Sequence, residues 1–267
     1  MSEPLTVIVP SFNEEKNIRG CLESVKWADE ILLVDSYSTD ATLEIARPLA
    51  TRIIQREYVN SASQKNWAIP QAAHRWVMIV DSDEQVSEPL EREIRELLAS
   101  GPERDGYVVR RLNHFHGKPI RHGGWGRDRV LRIFDREKGR YQEKHVHAEV
   151  EVRGSTGRLE HPLLHDTFRG FDDYLRKIDR YTAWGAADLR QKGRRARALD
   201  MVLRPAGRFV KRYLLQAGFL DGPEGLIITG IDAYVTFLKY ARLWEMERAA
   251  SAPPLSRSGG GSSGPER

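Results

Sequence analysis

Several features that would narrow the function at once are missing from this chain of 267 residues. Its single cysteine, Cys21, cannot form a disulfide within the chain, which fits a reducing compartment. No stretch of about 18 or more residues is both apolar and uncharged, so we expect no membrane-spanning helix. The N-terminus has no basic segment followed by an apolar one, so we expect no signal peptide. These absences favour a cytoplasmic location.

A glycine-rich phosphate loop is missing as well. After its first strand, a nicotinamide-binding sheet normally carries the pattern Gly-x-Gly-x-x-Gly. Here the corresponding place is occupied by Pro10-Ser11-Phe12-Asn13-Glu14-Glu15. A diphosphate bound to this chain should therefore be held mostly by a metal ion and not by the N-terminus of a helix.

Strands alternate with helices four times in the first hundred residues, and a content of 40% hydrophobic residues is enough for a core. This alternation predicts an α/β fold with a mostly parallel, Rossmann-like sheet flanked by helices. The predicted strands are Leu5–Pro10, Glu30–Asp35, Arg52–Gln55 and Trp76–Val80, and the predicted helices are Asn17–Trp27, Ala41–Ala50, Asn60–Ala73 and Pro89–Ala99. Beyond Gly106, Tyr107–Arg111 and Arg129–Phe134 show the polar alternation that suits the edge of a mixed sheet.

Carboxylates follow two of these strands directly. Asp35 ends the second strand, and Asp81 and Asp83 follow the fourth. Side chains at i and i+2 of an extended segment point the same way, so Asp81 and Asp83 can converge on one hard cation such as Mg²⁺ or Mn²⁺. Since parallel strands share a C-terminal edge, Asp35 should lie at the same crevice. The alternative is a solvated turn that only ends a strand.

Four sequence segments together resemble the inverting family 2 glycosyltransferases of the glycosyltransferase-A fold. The segments are Val7–Glu15, Val34–Asp40, Gln64-Lys65-Asn66 and Asp81-Ser82-Asp83-Glu84. Within that family the chain is most similar to the bacterial branch that includes lipopolysaccharide-core β-glucosyltransferases. That branch carries segments like Arg121-His122-Gly123-Gly124-Trp125 and Arg132-Ile133-Phe134, and a Val-His-Glu motif. The resemblance extends from residue 5 to about residue 185.

The resemblance implies a set of site residues. The donor-nucleotide site would include Pro10, Asn13, Glu14, Asp35, Lys65 and Asp81. Asp81 and Asp83 would hold the metal ion, Mg²⁺ or Mn²⁺, and the diphosphate. The chain departs from the family pattern at Ser36, which stands where a second aspartate is usual.

An inverting transfer also needs a general base to deprotonate the acceptor hydroxyl. The Val-His-Glu motif reads Val146-His147-Ala148-Glu149 here, with the glutamate displaced by one residue, which in a strand would turn it to the other face. We take Glu149 as the first candidate for the base and His147 as the second. A histidine with an ordinary pKa can serve as a base near neutral pH.

Four further residues are candidates for acceptor or phosphate binding. Arg127 and Arg132 can hold phosphates of donor or acceptor, or can belong to a solvated basic face. Trp125 can stack on a sugar ring or pack in the core. We expect His165, followed by Asp166, to close the acceptor side of the pocket.

The C-terminal third is basic and helical. Nine lysines or arginines lie between Arg190 and Arg212 against one acid, Asp200, with apolar residues interleaved. A basic amphipathic helix of this kind indicates an interfacial anchor on an anionic membrane, and we assign that contact to residues 190–245. The alternative is a helical appendage packed on the catalytic domain or on a second subunit. Nucleic acid is not an expected partner, since no recognition motif accompanies the basic run.

These observations predict three regions: a catalytic domain over residues 1–168, a helical membrane-associating extension over 169–250, and a disordered tail rich in Pro, Ser and Gly over 251–267.

The expected activity is metal-assisted transfer of a sugar from a nucleotide-sugar to a lipid-linked or lipopolysaccharide-type acceptor at the inner face of the cell membrane. Two alternatives stay open at this point. One is a nucleotidyltransferase, against which the missing glycine-rich loop counts, and the other is an inactive relative that binds membrane or a partner.

Overall fold

The apolar runs of the N-terminal half form the centre of the sheet. In the computed structural model, which describes residues 2–142, 149–168 and 170–251, β1 (Leu5–Ser11) pairs in parallel with both β2 (Glu30–Asp35) and β4 (Trp76–Ile79). β3 (Arg52–Gln55) adds in parallel to β2. Nearly every residue of β1, β2 and β4 is buried, as expected for parallel strands covered on both faces.

Within the described residues, five further strands complete a nine-stranded sheet of order β3-β2-β1-β4-β8-β6-β11-β5, with β7 paired to β6. They are β5 (Glu84–Val86), β6 (Gly106–Phe115), β7 (Lys118–Pro119), β8 (Arg129–Asp135) and β11 (Thr156–Phe168). β9 (Gly139–Tyr141) and β10 (Val150–Val152) form a separate hairpin. β5, β7 and β8 run against the other strands, so the prediction of a mostly parallel sheet is confirmed.

The position of β6 and β8 differs from the sequence-based expectation. Both lie inside the sheet, because β11 and β5 extend it beyond them. Several of their polar residues are buried, although Arg129 at the start of β8 is exposed. Arg132 of β8 and Asn113 of β6, for example, are almost completely buried and are bonded to polar partners. A buried strand tolerates such residues only when partners of this kind are present.

Helices cover both faces of the sheet. The seven α-helices of the described residues are α1 (Ile18–Ser24), α2 (Thr42–Ala46), α3 (Ser61–Ala68), α4 (Glu88–Ser100), α5 (Phe171–Gln191), α6 (Ala198–Val210) and α7 (Pro223–Ser251). Successive side chains of β1 point to opposite faces. Val7 and Val9 join one apolar cluster, which contains residues of α1 and α4, and Ile8 joins a second that contains residues of α3. The two clusters fix the ends of β1, β2 and β4 in a rigid frame.

The predicted C-terminal helical extension is confirmed, as α5, α6 and α7 follow the last strand of the sheet. A π-helical turn, Lys211–Leu215, continues α6. Among the residues that the structure describes, no helix is long and apolar enough to cross a membrane. The division at residues 168 and 250 stays a prediction, and the predicted tail lies outside the described residues except for Ser251.

Candidate active site

The turn after β4 places three carboxylates at the C-terminal edge of the parallel strands. The Asp81 backbone N–H donates to the Glu84 carboxylate at 3.0 Å, and the Glu84 N–H donates to the Asp81 carbonyl at 2.8 Å. Outside the turn, the Asp83 carbonyl accepts from the Asp166 N–H at 3.0 Å. These bonds fix the turn from both sides, so the side chains of Asp81 and Asp83 are held at the sheet edge predicted from the sequence.

Asp81 is paired with two buried cations. Lys65 Nζ lies 2.6 Å from Asp81 Oδ1, and an Arg132 guanidinium nitrogen lies 2.7 Å from Oδ2. Burial by itself would raise the pKa of Asp81, but the charges of Arg132 and Lys65 outweigh it and hold that pKa well below its usual range. The pKa of Lys65 is raised in turn, because Asp81 outweighs the effect of burial. Asp81 is therefore a carboxylate at every physiological pH.

The ion pairs continue behind Asp81. Glu84 is completely buried and accepts from Arg132 at 2.5 Å and from Arg111 at 3.3 Å. Arg111 also pairs with Asp128 at 2.7 Å. We call these six residues the ion-pair network: Lys65, Asp81, Glu84, Arg111, Asp128 and Arg132. Its three carboxylates face three permanent cations, so burial leaves no net charge uncompensated.

Asp83 is not part of the network and faces a histidine. The distance from Asp83 Oδ1 to His165 Nε2 is 3.6 Å, and both side chains remain partly exposed. The amide nitrogen of Asn113 donates to the Trp125 carbonyl and to Asp128, so the Asn113 oxygen must face His165 Nδ1, 2.6 Å away. His165 Nδ1 therefore carries the proton. In neutral His165 this leaves the lone pair of Nε2 on the side of Asp83, which is the arrangement of a metal-ligating histidine.

The residues expected to contact the nucleotide are arranged around the ends of β1 and β2. Asp35 is completely buried and accepts from Ser11, Ser38 and Gln55. Asn13 has a positive φ of 53° and is exposed, and its side chain accepts from the Thr39 N–H at 2.8 Å. In this structure Asp35 and Asn13 thus hold together the loop after β1 and the turn after β2.

A cavity of about 1120 Å³ opens between the sheet edge and the C-terminal helices. The sequence-predicted site residues on its surface are Pro10, Glu14, Lys65, Asp81, Asp83 and His165. The opposite wall belongs to α5, α6, the π-turn and α7, and it carries both tyrosines and cations. The cavity thus joins residues from the two ends of the chain in one site.

The other predicted residues lie beside the cavity or behind it. Arg132 supports Asp81 from inside the protein, whereas Arg127 is exposed. Trp125 packs against the apolar cluster of Phe115, Ile120 and Ile228, which agrees with the core alternative for this residue.

Of the two candidates for the general base, Glu149 belongs to the described residues and His147 does not. Glu149 is exposed and directly precedes β10, which pairs with Tyr141 of β9, and the Tyr141 ring centroid lies 5.1 Å from Lys65 Nζ. His147 lies outside the described residues, as does Ala148. The roles of both candidates stay predictions.

Sequence reasoning missed several residues that the structure brings into or behind the site. They are Glu84, Arg111, Asn113, Asp128 and Tyr141 from the catalytic half, and Arg204, Arg208, Lys211 and Lys239 from the helical extension. A signal for Glu84 and Arg111 was present, because charged residues inside strands that are buried require partners. No comparable signal marked the second group, since a basic helix has the same sequence whether it faces a membrane or a cavity.

Comparison with known families gives one match that covers more than half of the chain. The model of glycosyl transferase family 2 matches residues 6–154, which include β1 to β10. The segments around Asp81, Lys65 and Arg132 all fall inside the match.

Curated relatives match over nearly the whole length. The lipopolysaccharide core biosynthesis glycosyltransferase LpsC of Rhizobium meliloti is 27% identical, with 94% of this chain and 95% of the relative covered. An uncharacterized glycosyltransferase of Rickettsia bellii is 25% identical, with 97% and 92% covered. Among solved structures, Staphylococcus aureus TarS 1-349 in complex with UDP-GlcNAc aligns with a TM-score of 0.49 at 15% identity, covering 92% of both chains.

Proposed function

Because the chain belongs to glycosyl transferase family 2 and is a glycosyltransferase, we propose that it moves a sugar from a nucleotide-sugar to a lipid-linked or lipopolysaccharide-type acceptor, with inversion and with the help of a divalent cation. The observation that carries the proposal is the position of Asp83 and the ion-paired Asp81 at the mouth of a cavity on the C-terminal edge of a parallel sheet. Open α/β sheets bind their ligands at this edge. Similarity to a lipopolysaccharide core enzyme over 94% of the chain supports the acceptor class.

The residues present fit a cation that is shared with the substrate. Asp81 has both carboxylate oxygens engaged by Lys65 and Arg132, so we assign the metal contact mainly to Asp83, with His165 as a second ligand. Over the described residues no group of three or more His, Cys, Asp or Glu side chains can hold a metal ion. Mg²⁺ and Mn²⁺ are commonly bound in this way, by one or two protein ligands and by phosphate oxygens. When bound, the cation neutralises charge on the leaving diphosphate.

The protein's own residues would then do three things. The ion-pair network holds Asp81 ionised and fixes the turn that carries Asp83. Glu149, or His147 in its place, takes the proton of the acceptor hydroxyl as its oxygen attacks the anomeric carbon of the sugar. The bond from that carbon to the diphosphate breaks on the opposite face, which inverts the configuration. Glu149 directly precedes Val150, which pairs with Tyr141 beside Lys65, and this supports the placement of Glu149 near the donor.

The test is transfer and hydrolysis of a panel of nucleotide-sugars with membrane extract, in Mn²⁺, Mg²⁺ or EDTA. We expect EDTA to abolish turnover and Asp83→Asn to lower kcat by about a hundredfold or more, whereas Glu96→Gln, at an exposed carboxylate of α4, changes little. Glu149→Gln should cost about 10²- to 10⁴-fold, with Glu151→Gln on the neighbouring strand as control. Normal activity of Glu149→Gln would move the base to His147. If the wild type shows no turnover and also binds no nucleotide, the proposal is contradicted. That result would favour the alternative of an inactive relative.

We also propose that the helical extension binds the surface of an anionic membrane without crossing it, at the inner face of the cell membrane. Large apolar side chains are exposed along α6, the π-turn and the segment before α7, beside the basic run from Arg190 to Arg212. They are Leu199, Val202, Val210, Leu214, Leu215, Phe219 and Leu220, each at least 45% exposed. Apolar side chains of this kind enter the lipid interface, while arginines and lysines beside them bind anionic headgroups.

Sedimentation with vesicles tests this membrane contact. We expect the protein to bind vesicles that contain phosphatidylglycerol and to dissociate at high salt. The double variant Leu215→Asp/Leu220→Asp should bind much more weakly. Val59→Asp changes an equally exposed apolar residue outside the helical extension and should bind like the wild type. Equal binding of all three proteins would contradict the proposal.

A further inference from the structure

The cavity has a second charged wall, opposite the aspartates. From the helical extension, four cations face the cavity: Arg204, Arg208, Lys211 and Lys239. The acid on this wall is Asp232, and it is already occupied by Arg208 at 2.7 and 3.2 Å and by Arg212 at 3.1 Å. The wall therefore presents an excess of positive charge to whatever the cavity binds.

Two of these cations have no ion-pair partner in the part of the chain that the structure describes, although the charge of Asp232 acts on Lys239 from a longer distance. Lys211 and Lys239 form no ion pair with any residue that the structure describes. Lys239 is half-buried, and its pKa is lowered by burial and then by the charge of Arg208. A half-buried ammonium group is costly unless an anion joins it. Arg204 also keeps donor groups available, because only its Nε bonds to Asp200, while its guanidinium carbon lies 4.8 Å from the Tyr240 ring centroid.

Aromatic rings lie beside these cations. Tyr174, Tyr181 and Tyr240 all contribute to the surface of the cavity. Sugar rings are commonly bound on aromatic faces, because the ring combines apolar area with a polar edge. A wall that combines tyrosines with unpaired lysines matches a ligand that combines a sugar with an anionic group.

We propose that Lys211, Lys239 and Arg204 bind a phosphate group carried by the acceptor, so that the acceptor is a phosphorylated sugar. The inference rests on the proposed glycosyl transfer and specifies its substrate class. Ammonium and guanidinium groups are the usual protein ligands of phosphate. A neutral glycan would leave half-buried Lys239 without an anionic partner and would use none of the charge on exposed Lys211.

The donor diphosphate is the other possible source of phosphate, and two observations favour the acceptor. The donor side of the cavity is the sheet edge, where the cation proposed to bind at Asp83 would neutralise a diphosphate. In addition, a cavity of about 1120 Å³ exceeds the range of about 300–1,000 Å³ that is typical of a site for one small ligand. The helical wall is thus the part of the cavity left for the second substrate.

Binding of glucose 6-phosphate and of glucose, measured by calorimetry on the full chain, tests the inference. Each sugar is titrated with and without a saturating nucleoside diphosphate and Mn²⁺. We expect the wild type to bind glucose 6-phosphate at least about tenfold more tightly than glucose. Lys239→Met and Lys211→Gln should each lower the affinity for glucose 6-phosphate about tenfold and leave the affinity for the nucleotide unchanged. Lys192→Met removes an exposed lysine of the basic run that does not line the cavity, and it should have no effect.

Three results would overturn the inference: equal affinity for the two sugars, unchanged binding in both cavity variants, or weaker nucleotide binding instead of weaker sugar-phosphate binding. The last result would assign the cations to the donor. If circular dichroism shows that Lys239→Met is not folded, Lys211→Gln decides whether these cations bind the phosphate, because Lys211 is exposed. A wild type that binds no nucleotide contradicts the proposed function itself, and the glucose 6-phosphate titration without nucleotide still tests the cation wall independently. Vesicle binding should be the same in Lys239→Met as in the wild type.

Discussion

Asp81 shows how a single carboxylate can organise a site without being its reactive group. Its oxygens hold Lys65 on one side and Arg132 on the other, and Arg132 in turn holds Glu84. A buried pair of this kind adds little net stability, but removal of one partner leaves an uncompensated charge and is costly. Substitution of Asp81 therefore affects the fold as well as the chemistry.

We expect Asp81→Asn to lower the free energy of unfolding by about 3–5 kcal/mol at pH 7. Because the pKa of Asp81 is lowered in the folded state, its contribution is fully present above about pH 4, the unfolded value, and is lost as the pH falls further. In urea unfolding, the free energies of unfolding of Asp81→Asn and the wild type should thus differ by a constant amount between pH 8 and 5. The difference should be smaller at pH 3.5. Asp179→Asn, which breaks an exposed pair with Arg242, should cost less than about 1 kcal/mol. A difference that grows toward acid pH would contradict this account.

For single residues, the sequence predicted the position in the fold better than it predicted the side chains with which each residue pairs. The two aspartates were placed at the edge of the sheet because they follow an apolar strand, and strand order did not matter for that prediction. The pairing of Asp81 with Arg132 depends on β8 lying next to β4, and no local pattern encodes that neighbour. The same holds for His165, whose tautomer is set by Asn113 on another strand.

Helix α3 shows how an element delivers a residue to the site. Its hydrophobic pattern is weak, and it carries Gln64 and Lys65 on its buried side. The Gln64 amide donates to the Val34 carbonyl and to the Ser36 hydroxyl, which ties the helix to the end of β2. Its N-terminus is capped by Asn60, whose side chain accepts from the Ser63 N–H at 2.8 Å. The cap and the glutamine together fix the position from which Lys65 reaches Asp81.

Loss of this cap should be measurable. We expect Asn60→Ala to destabilise the protein by about 1 kcal/mol in urea unfolding, because one N–H of the first turn loses its acceptor. Asn60→Asp keeps the acceptor and should restore most of the stability. Equal stabilities for the alanine variant and the wild type would show that water replaces the cap without cost.

Elements with strong periodicity were predicted closely from the sequence, and those that depend on tertiary neighbours were not. The predicted strand Arg52–Gln55 coincides with β3, and α4 begins and ends within one residue of its predicted bounds. By contrast, β5 is three residues long, and β6 and β8 were expected at an edge. Short strands and strand order are set by pairing across the sheet, which a single segment does not reveal.

Across the whole molecule, the helical extension is joined to the catalytic half through Asp221. This residue is buried, and its carboxylate accepts from the backbone N–H groups of Arg121 and His122 at 3.2 and 2.8 Å and lies 3.0 Å from His122 Nδ1. Arg212 donates to the Gly123 carbonyl at 2.9 Å in the same contact. The segment from Arg121 to Gly123 thus serves as a docking point for the segment that precedes α7.

We expect Asp221→Ala to lower the free energy of unfolding by about 2–3 kcal/mol, because two backbone N–H groups lose their acceptor. Trypsin cleavage after Arg121 should become faster in the variant as the loop separates from the helices. Asp221→Asn keeps one oxygen and should give intermediate values. Unchanged stability and cleavage in Asp221→Ala would contradict the proposed docking role.

The global arrangement of the C-terminal third was the part least accessible to the sequence. Its charge and apolar pattern indicated a surface helix, and the exposed leucines of α6 fit that prediction. The same helix also turns Arg204 and Arg208 toward the cavity, so one element has two different faces. An amphipathic pattern identifies the faces of a helix but not what each of them meets.

The neutral ion-pair network has a consequence for the order in which the active complex assembles. In many acidic sites the bound metal ion stabilises the local structure. When the ion is absent, mutual repulsion of the carboxylates keeps the site open. Here Lys65 and Arg132 already compensate the charges of Asp81 and Glu84, so we expect the turn that carries Asp83 to be ordered before a metal ion binds. If the proposed mechanism holds, we expect the ion to arrive with the nucleotide and to leave with it in each catalytic cycle.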